Sequence, residues 1–312
     1  MAEPDAADRD PVKGFLYALS AVVILSMTTY IFSKYAMDVE RGGVRPVTFA
    51  FAWTGAATVY LFVLLAVRGR IRELWLPRGA RARMVAMGVL SGLAHILFWL
   101  GLSRLNAAFT SFLMRFMSVL VILGCVAFLG ERVKRLEVVA IGVMLVGGCI
   151  SSVGAWRVAG PGILLIGLAT LAGAAWRVMA KAGAAQVPPM VGNFYRVAFA
   201  AVLIGGWAAG TGRLDFTGHA DRWAVLFIGA LLGPCIGMSL MFASYRYWDL
   251  SKTSMIVMAE PLIVLPASLL LPGRPLSLQQ LIGGLIILVG GFWLAWTHRR
   301  RRLLSSPPEP IE

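Results

Sequence analysis

Three stretches of this chain, Met84 to Ser103, Trp223 to Tyr245 and Pro275 to Thr297, each run for about 20 residues or more without one Asp, Glu, Lys or Arg. A helix rises about 1.5 Å per residue, so about 20 residues cross about 30 Å of hydrocarbon. Seven further runs read the same way, and ten spans are expected: roughly 14–36, 45–67, 84–103, 107–129, 137–156, 158–179, 190–210, 222–244, 252–272 and 276–297. A large soluble helical bundle would need a polar face on each helix. With 59% hydrophobic and 14% charged residues, the chain has none to give. A β-barrel is excluded because the runs are too long and lack two-residue alternation. The fold class expected is an all-α membrane protein of ten transmembrane helices.

The charges orient it. Of 29 Lys and Arg, 18 fall in the N-terminal tail, in the gaps after spans 2, 4, 6 and 8, or in the C-terminal tail: Arg9, Lys13, Arg68, Arg70, Arg72, Arg78, Arg81, Arg83, Arg132, Lys134, Arg135, Lys181, Arg246, Lys252 and Arg299 to Arg302. The alternate gaps hold seven: Arg41, Arg45, Arg104, Arg157, Arg213, Arg222 and Arg274. Basic residues concentrate on the cytoplasmic side, so both termini are expected there, in the cell (inner) membrane of the cell. An even span number agrees. The net charge of +14 is thereby explained by topology and attraction to anionic lipid, and no nucleic-acid partner is expected.

Cys125, Cys149 and Cys235 fall within spans and read as small buried hydrophobes, with no metal-ligand spacing. No metal and no cofactor is expected. Residues 1–13, rich in Glu3, Asp5, Asp8 and Asp10, lack the basic start of a cleaved signal and read as a cytoplasmic tail. Residues 298–312 form a basic and proline-rich cytoplasmic tail.

The chain also repeats itself. At an ungapped offset of 143, Leu145–Val146–Gly147–Gly148 meets Leu288–Val289–Gly290–Gly291, Ser111 meets Ser254, Phe51 meets Phe194, Leu97 meets Leu240 and Lys34 meets Arg177. Gly130–Glu131–Arg132 meets Gly273–Arg274–Pro275. The repeats run 14–154 and 157–297, five spans each. Five is odd, so the second half enters the bilayer from the opposite side. Inverted repeats of this kind suit a site opened first to one side and then to the other.

The segments Phe128–Leu129–Gly130–Glu131–Arg132 and Ala140–Ile141–Gly142–Val143–Met144–Leu145–Val146–Gly147–Gly148 have a second copy. It runs from Glu260–Pro261 through Gly273–Arg274–Pro275–Leu276 to Gln280–Leu281–Ile282–Gly283–Gly284 and Gly290–Gly291. Over about residues 14–297 the chain resembles the EamA-type transporters of the drug/metabolite transporter superfamily. That resemblance implies two five-span repeats and efflux of amino acids, metabolites or drugs, with no shared catalytic set. Departures stand at Trp53, where members usually carry Arg, at Arg274 opposite Glu131, and at Arg115–Phe116–Met117.

Ionisable groups at membrane depth are costly and face a cavity or a partner. Arg115 and Glu260 each lie about eight residues into a span. They read either as a fixed ion pair joining the halves or as groups lining the solute route. Arg196, with Asn193 and Tyr195 beside it, reads as a cavity cation or as snorkelling to the headgroups. Snorkelling is the preferred reading for Lys34 and Arg177. His95 and Trp99 share one helix face, flanked by Phe98, and His95 is a packed residue or a donor able to carry a proton. Span 1 offers Ser26, Thr28, Thr29 and Tyr30, whose hydroxyls bond back to their own helix or face the solute. Trp53 and Trp176 read as an apolar wall or an interface belt. Gly88 and Gly92 in span 3, with Gly229, Gly233 and Gly237 in span 8, allow close helix approach. Pro234 and Pro261 interrupt their helices and are candidate gating points, as is Pro266.

The function expected is secondary transport of a small carboxylate-bearing solute such as an amino acid, by export, with protons as a candidate coupling ion. Neutral or cationic drug-like solutes are the alternative, and a membrane-embedded enzyme a remoter one. Besides the solute, membrane lipids are the expected partners.

Overall fold

The computed structural model describes residues 11–76, 78–129, 135–153, 156–183, 187–247, 256–271 and 276–305. Glu131, Arg132, Lys134, Lys252, Ser254 and the Gly273–Arg274–Pro275 segment lie outside the described residues, as do most of both tails. Among the described residues the regular structure is all helical, with no strand. Helix α1 runs Pro11–Ser26, passes through a π-helical segment Met27–Phe32 and ends with Ser33–Ala36. Then follow α2 (Pro46–Val67), α3 (Arg78–Arg104), α4 in two pieces (Ala107–Leu113 and Phe116–Leu129), α5 (Arg135–Val153), α6 (Trp156–Gly183) and α7 (Pro189–Gly210). Helix α8 runs Ala220–Ala230, a π-helical Leu231–Gly237 and Met238–Tyr247. Helix α9 spans Glu260–Ser268 after a helical turn at 256–258, and α10 spans Leu278–Ser305.

Among the described residues, six of these helices are long and apolar enough to cross a membrane, and four shorter apolar ones accompany them. Val59, Val63, Leu164, Leu171, Val202 and Val289 each leave half or more of their surface exposed. Such a belt is unfavourable against water and is matched by lipid tails. The chain is an integral membrane protein. Arg78, Arg81 and Arg83, expected in a gap, instead form the first turns of α3, and α10 runs eight residues past the expected end of its span.

Proline at the first position suits the start of a helix, where its missing N–H costs nothing. Pro46 opens α2, and Pro189, its counterpart at the 143-residue offset, opens α7. Helices related by that offset also pack on one another. A Cβ on Gly147 would lie 2.7 Å from the Gly283 carbonyl oxygen, and one on Gly290 would lie 3.0 Å from that of Ala140. Gly290 is the offset counterpart of Gly147, and Gly283 that of Ala140. The two contacts are thus one contact made twice, and they pair rising with falling residue numbers, so α5 and α10 run antiparallel. Phe51 against Gly205 and Phe62 against Phe194 give the same antiparallel order for α2 and α7.

Candidate functional site

Helix α4 breaks at Met114–Arg115. There the Arg115 amide turns to the Phe112 carbonyl, one residue nearer than an α-helix requires, and the Ser111 carbonyl is released. Arg115 Nε donates to that oxygen at 3.2 Å. Helix α9 breaks at the corresponding place for a different reason. Pro261 has no N–H, so the carbonyl of Val257, four residues earlier, has no helical donor. Arg115 Nη1 donates to it at 2.7 Å. Arg115 Nη2 donates to Glu260 Oε2, and the hydroxyl of Tyr30 is the remaining side-chain partner. One guanidinium thus serves both helix breaks and forms an ion pair across the two repeats. Its side chain is 7% exposed and that of Glu260 12%. The pair read from the sequence is present.

Tyr30 sits in the π-helical segment of α1. Thr28 donates back to the Ile24 carbonyl at 2.8 Å, as one reading of the span 1 hydroxyls expected, and Ser33 to the Thr28 carbonyl at 2.8 Å. Beside Tyr30 lies an aromatic cluster. Phe98 meets Tyr30 edge-on at 5.8 Å, and Trp99 touches Phe98 at 4.6 Å, Phe49 at 5.0 Å and Trp53 at 5.5 Å. Trp53 is therefore core, not interface belt. The buried indole N–H of Trp99 and the buried Ser26 hydroxyl meet no hydrogen-bond partner among the described residues.

A second polar group lies one to two turns along α3. Arg196 is 7% exposed and does not snorkel. Its Nε and Nη2 donate to Asn193 Oδ1 at 3.2 and 2.8 Å, its Nη1 donates to the Ser91 hydroxyl at 3.1 Å, and the guanidinium stacks 4.9 Å over Trp176. Arg177, on the exposed side of α6, lies 5.5 Å from the same ring. His95 Nδ1 is 2.6 Å from the Ser91 carbonyl, and Asn193 donates to the Pro234 carbonyl at 3.2 Å. Ser91, a partner of both Arg196 and His95, carried no signal in the sequence, although it stands one turn before His95 on the same face. The Tyr195 hydroxyl points away, donating to the Leu74 carbonyl at 2.6 Å.

Lys34 does not snorkel either. Its Nζ donates to the Leu102 and Ser103 carbonyls at 2.8 and 2.9 Å, placing a cation on the C-terminal end of α3 where the helix dipole favours it. Near it, Tyr35 donates to Asp221 at 2.9 Å, and Arg222 donates to the Tyr35 carbonyl at 2.7 Å while covering its ring. Arg45 pairs with Asp215 at 2.8 Å. Bonds from Thr217 and the Arg45 charge hold the Asp215 carboxyl below its usual range. These contacts tie the loop after α1 to the loop before α8, and no short-range sequence signal announces them.

Small residues fix the approach of the helices. Gly88 and Gly92 lie against Phe199 and Ala200 of α7, which brings Arg196 to Ser91. A Cβ on Gly229 would meet Trp53 at 2.7 Å, one on Gly233 the Thr28 hydroxyl at 2.8 Å, and one on Gly237 Leu25 at 3.0 Å. Pro234 lies within the π-helical part of α8 and Pro261 on the first turn of α9. Cys235 is buried as expected, but Cys149 is exposed, three and four residues after the exposed Val146 and Leu145 on α5. The Cys125 side chain lies outside the described set. Among the described residues no His, Cys, Asp and Glu cluster could hold a metal.

A search of curated proteins gives no match. Among solved structures, one described as "Crystal structure of protein" superposes with a TM-score of 0.63 at 16% identity, covering 94% of this chain and 100% of its own, a likeness of fold. The sequence profile of the EamA-like transporter family matches twice, over residues 12–153 and 160–296. Two matches spanning nearly the whole chain, on an all-helical fold whose offset-related helices pack together, place this protein in the EamA-like transporter family.

Proposed function

We propose that this protein is a secondary transporter that moves a small carboxylate-bearing metabolite, an amino acid or a derivative with an apolar part, out of the cell by alternating access. Membership of a transporter family supports movement of small solutes across the membrane. Ten crossings form two inverted five-helix repeats, 14–154 and 157–297, with both termini cytoplasmic in the inner membrane. The antiparallel packing of α5 on α10 and of α2 on α7 supports the inversion.

The observation that carries the mechanism is the Arg115–Glu260 pair at the two helix breaks. Helices α4 and α9 are offset counterparts, each broken near the same register, and broken helices at depth are where transporters build sites. Rocking one repeat against the other shears this contact, so the pair is remade in each cycle. Glu260 and His95 are the groups able to carry a coupled proton. The carboxylate reading rests on Arg196, with Asn193 beside it. Trp99 and its aromatic neighbours supply an apolar wall, and Tyr30 links that wall to the pair. Gly88, Gly92, Gly233, Pro234 and Pro261, with Lys34 and Arg177, shape the packing about which the repeats move.

A cationic drug-like solute is the second reading, because an aromatic cluster beside Glu260 attracts cations through its ring faces. Counterflow into proteoliposomes, with panels of anionic, zwitterionic and cationic solutes competing, decides. Competition by carboxylates supports the proposal. Competition by organic cations alone replaces it with the second reading.

A further inference from the structure

Arg115 and Arg196, two of the buried guanidiniums, are not equivalent. Arg115 is neutralised by Glu260 and saturated by two backbone carbonyls. Arg196 is as deeply buried, yet its hydrogen-bond partners are one amide oxygen and one hydroxyl, both neutral. No carboxylate among the described residues meets it. A second cation, Arg177, shares the Trp176 ring with it and adds repulsion. A buried cation without a counter-charge is costly in hydrocarbon, and a planar guanidinium matches a carboxylate with two parallel bonds.

An independent observation lies on the same helix face. Ser91, His95 and Trp99 follow at four-residue intervals along α3, so they form one stripe leading from Arg196 to the aromatic cluster. At its far end lies Trp99, 2% exposed, whose buried indole N–H meets no acceptor among the described residues. A buried donor left unpaired is rare and calls for a partner.

We infer that Arg196 is the seat for the anionic group of the solute, with its apolar body laid along the Ser91–His95–Trp99 face and an acceptor atom reaching the Trp99 N–H. Arg115 is not the seat; it is the structural and moving contact between repeats. The ligand class is an organic monocarboxylate with an aromatic or extended apolar part. This rests on the transport reading given above, and binding and flux test the two separately.

The probes are 3-phenylpropionate, its neutral isostere 3-phenylpropionamide, and phenethylammonium, titrated calorimetrically into the purified full-length protein. The wild type is expected to bind the carboxylate at least tenfold more tightly than the amide. Arg196→Gln is expected to remove that preference while leaving amide binding in place, which also shows that the variant is folded. Should Arg196→Gln not fold, Arg196→Lys keeps the charge and loses the planar fork, and a several-fold weaker carboxylate affinity is expected. Trp99→Phe is expected to leave the affinities of these probes nearly unchanged, since their one polar group sits at the Arg196 end, and to weaken several-fold the binding of 3-(4-nitrophenyl)propionate, which adds an acceptor at the Trp99 end. Equal wild-type affinity for carboxylate and amide, or carboxylate binding unchanged by the Arg196 substitution, overturns the seat. Absence of flux for every solute, with these binding results intact, overturns the transport reading and leaves the seat standing.

Discussion

Substituting Glu260 by Ala leaves the Arg115 guanidinium in place with its two carbonyl bonds but without a counter-charge. Its side chain is 7% exposed, so water cannot take over the missing partner. Removing one member of a buried ion pair costs about 3–5 kcal/mol. The reverse substitution, Arg115→Met, leaves Glu260 unpaired and also orphans the Ser111 and Val257 carbonyls, each worth about 1–3 kcal/mol when unsatisfied. The double variant removes both charges and retains only the carbonyl penalty. It is therefore expected to be more stable than Arg115→Met alone by about 3–5 kcal/mol, the penalty of the unpaired carboxylate, with a coupling energy at or above the upper end of the usual range of about 0.5–3 kcal/mol. Reversible unfolding in mixed micelles, by titration with a denaturing detergent, measures all four proteins of the cycle. Effects that add within about 0.5 kcal/mol would refute the reasoning, because charges in contact at this burial have to be coupled.

Three further outcomes follow from the geometry. Gly283→Ala would push a Cβ to 2.5 Å from the Gly147 carbonyl and 2.6 Å from the Ser151 backbone amide, so it is expected to destabilise by about 1–3 kcal/mol, whereas Gly206→Ala meets nothing within 4 Å and is expected to be neutral or stabilising by up to about 1 kcal/mol in the same unfolding assay. Asp215 has its carboxyl pKa depressed in the folded state, chiefly by Thr217 and also by Arg45, so its contribution is complete above the ordinary carboxyl value of about 3.9 and fades as pH falls through the lowered one; hydrogen exchange in residues 211–219, corrected for intrinsic rates, should stay slow down to about pH 4, and loosening already at pH 6 would count against it. Cysteines replacing Arg213 and Arg81 should react with an impermeant thiol reagent from opposite faces of sealed cells, and labelling of both from outside would overturn the orientation.

Much of the frame was legible in the sequence because apolar length is summed over many residues. Uncharged runs marked the membrane helices; the 143-residue offset matched Gly147 with Gly290 but did not say which helices touch, and the contacts of Gly147 with Gly283 and of Gly290 with Ala140 emerged only from the structure. The Arg115–Glu260 pair was legible as two costly charges at similar depth. Its anchoring was legible only in part. Pro261 standing four residues after Val257 announces a carbonyl without a donor, but nothing local says which side chain fills it. Lys34, for which snorkelling was the preferred reading, and Arg196, for which it was one of two, are both held inward, because burial depends on neighbouring helices. Lys34 is drawn to the end of α3. Arg196 is drawn inward by a close α3–α7 approach at Gly88 and Gly92. The Tyr35–Asp221–Arg222 cluster joins residues about 190 apart in sequence and could not be read from either segment alone.

That cluster offers the most direct test of alternating access. Tyr35 and Asp221 tie the two repeats at one membrane face, and a solute route through a site between the repeats has to open there once per cycle. The paired variant Tyr35→Cys and Asp221→Cys, reconstituted in liposomes, should carry the solute when free, lose flux once a thiol-specific cross-linker with a reducible arm is shown to join the two sites, and recover it on reduction. Flux that continues unchanged through the cross-linked protein would contradict the account.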